Sequence, residues 1–136
     1  MESLKSIISI AAAGMRAQGQ RLKVVAENVA NAGTTGSTPG ADPYRRKLVS
    51  FEEMIDRETG DSLVQVRDVT RDKTPFTERL DPAHPAADEN GFVKVSNVNP
   101  IIEMSNMREA SRSYEANMNM FEAGRKMRSQ IIDLLR

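Results

Sequence analysis

The stretch LKSIISIAAAGMRAQGQRLKVVAENV, residues 4–29, decides the architecture. Two lines run through it: Leu4, Ala11, Gln18, Val25 and Ile8, Met15, Leu22, Val29. The alternating 4-3 spacing is held for about four heptads, with Gln18 the only polar intruder. That is the narrow seam of a coiled coil, not the broader stripe of a globular surface helix. At ~1.5 Å per residue the predicted helix is about 40 to 45 Å long. SIISIAAAG (6–14), following Lys5, has some ingredients of a cleaved signal. The run is short, Glu2 dilutes the basic start, and the apolar period continues past any cleavage point, so the reading is helix and no cleaved signal.

The other end mirrors it. Asn99 suits an N-cap, Pro100 the first helical position, and Glu103 the positive end of a helix dipole. Met104, Met107, Tyr114, Met118 and Phe121 share one face; further on Met127, Ile131 and Leu134 take over, so this stripe drifts. Between the helices, residues 33–98 hold five of the six prolines and five of the eight glycines. GTTGSTPGADP (33–43) and DPAHPAADENG (81–91) read as loops. LVQVRDV (63–69), PFTERL (75–80) and GFVKVSNV (91–98) alternate as strands do. The expected fold is mainly α with a small β insert. Its divisions are an N-terminal helix (1–32), a loop and small β region (33–98) and a C-terminal helix (99–136), the two helices pairing as a coiled coil.

Composition narrows the function classes. Only 29 of 136 residues are Leu, Ile, Val or Phe, there is no Trp, and 19 basic residues balance 19 acidic ones. A chain this poor in large apolar residues needs partners to finish covering its apolar faces. Zero net charge provides no footprint for nucleic acid, and no apolar run approaches the ~20 residues of a membrane span. With no cysteine there is no thiol chemistry or disulfide.

Catalytic signals are equally thin. His84 is the single histidine and lies between Pro82 and Pro85 in a turn-rich loop, with no nucleophile marked beside it. Asp81, Asp88 and Glu89 match no calcium loop. GTTGSTPG lacks the Gly-Lys-Ser/Thr ending of a phosphate cradle. The basic triplet Arg45-Arg46-Lys47 reads as a solvated face or an intersubunit ion-pair partner, and the helical methionines as adaptable packing. No enzyme, cofactor or metal site is expected.

The asparagines stand out instead. Asn28 flanks the seam and Asn31 ends the helix just before Gly33, while Asn117 and Asn119 lie beside the second stripe. They serve either as caps facing solvent or as amides that cross to neighbouring helices and fix register. AENVAN (26–31) with its Thr/Gly loop, and MREASRSYEANMNMFEAGRKM (107–127), resemble the paired terminal motifs of the flagellar axial proteins, the rod and hook family. TPGADPYRRKLVSFEEM (38–54) and DPAHPAADENGFVKVSNVNPIIEM (81–104) narrow the likeness to its proximal-rod members. Gly124, inside the second helix, is a departure that weakens the helix locally by about 1 kcal/mol.

The resemblance implies a structural subunit of the basal-body proximal rod. It would leave the cell through the flagellar type III export apparatus without a cleaved signal. In the periplasm it would polymerise with itself and with other rod proteins, without inserting into a membrane or binding nucleic acid. The implied interface uses Leu4, Ile8, Ala11, Met15, Leu22, Val25 and Val29 on the first helix. On the second it uses Met107, Tyr114, Met118, Phe121, Ile131 and Leu134. Asn28, Asn31, Tyr114, Glu115 and Asn117 would satisfy one another or adjacent subunits where helix gives way to loop. The alternative from a different class is a coiled-coil adaptor, or a secreted interaction protein, binding one foreign partner.

Overall fold

Two long helices bracket four short strands in the computed structural model, which describes all residues from Met1 to Arg136. In chain order these are α1 (Glu2–Ala30), β1 (Lys47–Ile55), β2 (Ser62–Arg71), β3 (Thr77–Leu80), β4 (Phe92–Val95) and α2 (Pro100–Leu134). The strands form two two-stranded sheets, β1-β2 and β3-β4. The mainly α fold with a small β insert is what the periodicities predict.

The helix ends follow from local chemistry. α2 begins at an N-cap: Asn99 Oδ1 accepts the Ile101 N–H at 3.1 Å, and Pro100 takes the first helical position, where a missing N–H costs nothing. α1 stops at Ala30 without the left-handed glycine that commonly closes a helix. Gly33 is not among the positive-φ residues, which are Gly40, Gly60 and Gly91. Side chains cap the last turn instead. Asn31 donates through Nδ2 to Glu27 O at 2.8 Å, and the Thr34 hydroxyl donates to Asn31 O at 2.9 Å.

The chain divides into two compact units. One comprises Met1–Leu22, Val49–Asp68 and Arg108–Arg136; the other comprises Lys23–Leu48 and Val69–Met107. In the first unit the helices run antiparallel. Ile8 lies against Gly124, Asn117 against Gly14 and Tyr114 against Gly19, and Arg21 pairs with Glu109 at 3.4 Å. The approach is close enough that a Cβ on Gly124 would meet Ile8 Cγ1 at 2.9 Å, and one on Gly14 would meet Asn117 Oδ1 at 2.6 Å. Gly124, out of place by helix propensity, is therefore a contact point. The hairpin of β1 and β2 completes this unit, with cross-strand bonds from Gln65 Nε2 to Glu52 (2.7 Å) and from Ser62 Oγ to Glu53 (2.6 Å). Its buried residues are small: Ala11, Ala13, Ala17 and Ala110, with Leu63 the one large aliphatic.

In the second unit β3 and β4 pair antiparallel with Thr77 opposite Val95 and Leu80 opposite Phe92. The segment after α1 joins the sheet through a Thr35–Val95 bridge and the bond from Ser96 N–H to Thr34 O, 3.1 Å. Val24, Val25, Val93 and Val98 form the apolar centre, together with three buried polar residues, Asn28, Ser96 and Glu103.

One strand escapes the sequence reading. KLVSFEEMI (47–55) is not among the three predicted strands, yet it forms β1. Most of its residues are exposed on both faces, so the alternation that marks a half-buried strand is absent, and pairing with β2 defines it.

Candidate functional site

The buried polar residues of the second unit gather where α1 ends, β1 begins and α2 begins. Asn28, only 1% exposed, sits on the last turn of α1. Its Nδ2 donates to Lys47 O at 2.9 Å and to Glu103 Oε2 at 3.3 Å. Its Oδ1 accepts the Lys47 N–H at 2.9 Å and the Tyr44 hydroxyl at 2.7 Å. Two donors and two lone pairs are thus all used. Because both backbone groups of Lys47 are engaged, the Asn28 amide acts on the first residue of β1 as a neighbouring strand would. The seam-flanking position is a full structural joint.

Glu103, also 1% exposed, is the second anchor. Its Oε1 accepts a hydrogen bond from Arg46 Nε. The same guanidinium reaches Asp72 Oδ2 at 3.3 Å. The Arg46 backbone N–H donates to Asn97 Oδ1 at 2.7 Å, and its carbonyl accepts the Asp72 N–H at 2.8 Å. Asn97 Nδ2 bonds Asp72 O (3.1 Å) and Thr74 O (3.0 Å). Arg45 reaches Asp72 O at 2.9 Å and lies over the Phe76 ring, 4.2 Å from its centroid. Lys47 Nζ pairs with Glu27 at 2.7 Å. The basic triplet is therefore not a solvated face: its three cations are engaged inside the unit.

The charges are stabilised accordingly. Burial works against the Arg46 charge, but the bonds to Glu103 and then to Asp72 outweigh it, and its pKa lies above the ordinary guanidinium value. Asp72 is held below the usual carboxylate value by the Thr74 hydroxyl and amide, with Arg46 adding to the effect. Glu27 is lowered chiefly by its hydrogen bond from Lys47. Burial raises the Tyr44 hydroxyl, keeping it a neutral donor to Asn28.

The remaining motif residues are satisfied locally. Asn31 bonds the Glu27 carbonyl one turn back, and Asn117 Nδ2 donates to Ser113 O at 2.8 Å. Tyr114 is half-buried against Gly19, and Glu115 is exposed. Ala11 and Val25 of the first stripe are buried, while Leu4, Ile8, Met15, Leu22 and Val29 are half-buried. Ala13, Gly14, Ala17, Val24 and Asn28 are also buried on α1, so the stripe lies along one side of a wider buried face. On α2, Met107, Tyr114, Met118, Phe121 and Ile131 are half-buried and Leu134 is 84% exposed. His84 accepts the Ala86 N–H at Nδ1 (3.0 Å) and lies 3.3 Å from Thr35 Oγ1.

Sequence reasoning missed Arg46, Tyr44, Asp72 and Asn97 as members of this joint. The polar pair Asn97 and Asn99 flanking the buried Val98 was the available signal, since amides between a strand and a helix start commonly bond nearby backbone.

Comparison with known proteins assigns the whole. Residues 8–38 match the family described as flagella basal body rod protein, and residues 89–134 match the flagellar basal body rod FlgEFG protein C-terminal family. The flagellar basal-body rod protein FlgC of Agrobacterium fabrum is 47% identical over 136 residues, covering 100% of this chain and 98% of that protein. FlgC of Salmonella typhimurium is 37% identical, with 97% and 98% covered, and FlgC of Borreliella burgdorferi is 34% identical, with 91% and 92% covered. The chain belongs to the FlgC family. It is a structural rod protein of the flagellar basal body. In this FlgC-family chain, Asn28, Asn97 and Glu103 fall inside the matched terminal segments. Tyr44, Arg46, Lys47 and Asp72 fall between them, so the joint links the terminal segments to the middle of the chain.

Proposed function

We propose that this protein is a subunit of the proximal rod, exported through the flagellar type III system and polymerised with itself and other rod proteins into the drive shaft. The carrying observation is a contrast within one chain. The joint around Asn28 has no unmet hydrogen-bonding need, whereas the helices leave large apolar side chains in solvent. Leu134 is 84% exposed, Ile101 79% and Leu135 78%. A chain that satisfies its polar interior and exposes its helical apolar residues is suited to bury them against neighbours.

In the assembled rod the helices pair as coiled coils along the stripe of Leu4, Ile8, Ala11, Met15, Leu22, Val25 and Val29. The facing residues are Met107, Tyr114, Met118, Phe121, Ile131 and Leu134. The antiparallel contacts from Ile8 through Arg21 support that arrangement. The protein acts by assembly and not by catalysis, takes no nucleic acid partner and enters no bilayer. No helix is long and apolar enough to cross a membrane.

Deletion of the gene tests the reading, scored by swimming and by electron microscopy of isolated basal bodies. Basal bodies that stop at the inner-membrane ring, without rod or hook, are the expected result. Complete rods and hooks would overturn it.

A further inference from the structure

One face of the first unit carries an open groove of about 590 Å³, lined by α1 (Ile10, Gly14, Gln18), the β1-β2 hairpin and Asn117 of α2. Its apolar wall includes Ile10 (44% exposed), Phe51 and Val64 (38% each), and Leu63 lies beneath them. Its only charged lining residues are the carboxylates of Glu52 and Glu53, with no cation among them. Gln18, the polar interruption in the α1 seam, also lines the groove.

The last turns of α2 have the opposite character. From Arg125 onward they carry Arg125, Lys126, Arg128 and Arg136 against the single acid Asp133. Met127, Ile132, Leu134 and Leu135 are 49%, 40%, 84% and 78% exposed. Apolar side chains flanked by guanidinium groups complement an apolar trough rimmed by carboxylates.

We propose that the groove formed by α1 and the β1-β2 hairpin receives the C-terminal turns of α2 from a second copy of this chain. The contact joins two different surfaces of the same molecule, so it is heterologous and extends from copy to copy instead of closing a dimer. It deepens the rod-subunit reading and rests on it.

The chain has no cysteine, which makes disulfide trapping clean. The double variant V64C/L135C, expressed in the deletion strain, places one thiol in the groove and one on the helix end, both at exposed positions. Basal bodies are isolated, oxidised and immunoblotted without reductant. A ladder of dimer and higher species is expected, with each single variant giving at most a dimer. Adding E52R/E53R should abolish the ladder, and further adding R125E/R128E should restore it. Basal bodies that contain the double variant but yield no ladder would overturn this contact and leave the rod reading standing. A ladder that stops at the dimer would also overturn it. A wild-type chain absent from basal bodies would overturn the rod reading, and this inference with it.

Discussion

The joint around Asn28 and the glycine-lined helix contact at Gly14 and Gly124 solve the same problem, holding α1 to α2, by opposite means. At the joint the amide of Asn28 and the carboxylate of Glu103 are both buried and fully engaged. Such groups are costly to bury and costly to leave unpaired, so they permit one arrangement only. At the glycines there is little chemistry, only backbone approach and the edges of Ile8 and Asn117. Packing of that kind tolerates adjustment. The difference teaches that this chain is rigidly specified where helix meets insert, and more adaptable along the helices that an assembly must accommodate.

The largest expected effect tests the polar side. Glu103→Ala leaves Arg46 facing a buried void and Asn28 without one acceptor, at about 3 kcal/mol or more in urea unfolding of the isolated chain. A loss under about 1 kcal/mol would mean the ion pair is ornamental and the contrast fails. Asn28→Ala follows, at about 2 kcal/mol, since it strands the Lys47 N–H and the Tyr44 hydroxyl. Asn28→Asp should not rescue it, because the amide donates to Lys47 O and to Glu103.

The glycine side is sharpened by Gly124→Ala. Overpacking against Ile8 costs about 1–3 kcal/mol, and the gain in helix propensity returns about 1. A net loss of about 1 kcal/mol is expected, relieved in the Gly124→Ala/Ile8→Ala double variant relative to Ile8→Ala alone. A stabilised single variant would show that the helices do not approach there.

Acid reads the joint as a whole. Glu27 and Asp72 are held below their ordinary values of 4.5 and 3.8 in the fold. Their contribution is complete above those values and is lost as pH falls through the depressed folded ones. Thermal melts should therefore drop below about pH 4.5, and Glu27→Gln/Asp72→Asn should flatten that drop. The smallest effect on the isolated chain is Leu135→Ser, within about 0.5 kcal/mol, because the side chain is already in solvent. The same variant should impair motility, since its missing contacts belong to the assembly.

How much was legible differs element by element. The helices were, because a 4-3 apolar period over 26 residues and the Asn99-Pro100 start admit no competing strand reading. The strands β2, β3 and β4 were, through alternation bounded by turns. β1 was not, because its residues are mostly exposed and only the pairing with β2 gives it a conformation. Gly124 was visible as an anomaly whose reason lay on the other helix, 116 positions away at Ile8.

The sequence by itself determined the two helices, the loop-rich middle and the family, since all three reside in local pattern and in motif order along the chain. Tertiary structure alone decided that Arg46 belongs to Glu103, that Asn28 behaves as a strand neighbour to Lys47, and that the basic triplet is engaged internally. The physical reason is distance along the chain. Helix period and capping are set by residues within a turn or two, whereas Asn28 and Glu103 are separated by 75 positions and Arg46 and Glu103 by 57. Only packing that removes these groups from water makes their pairing obligatory.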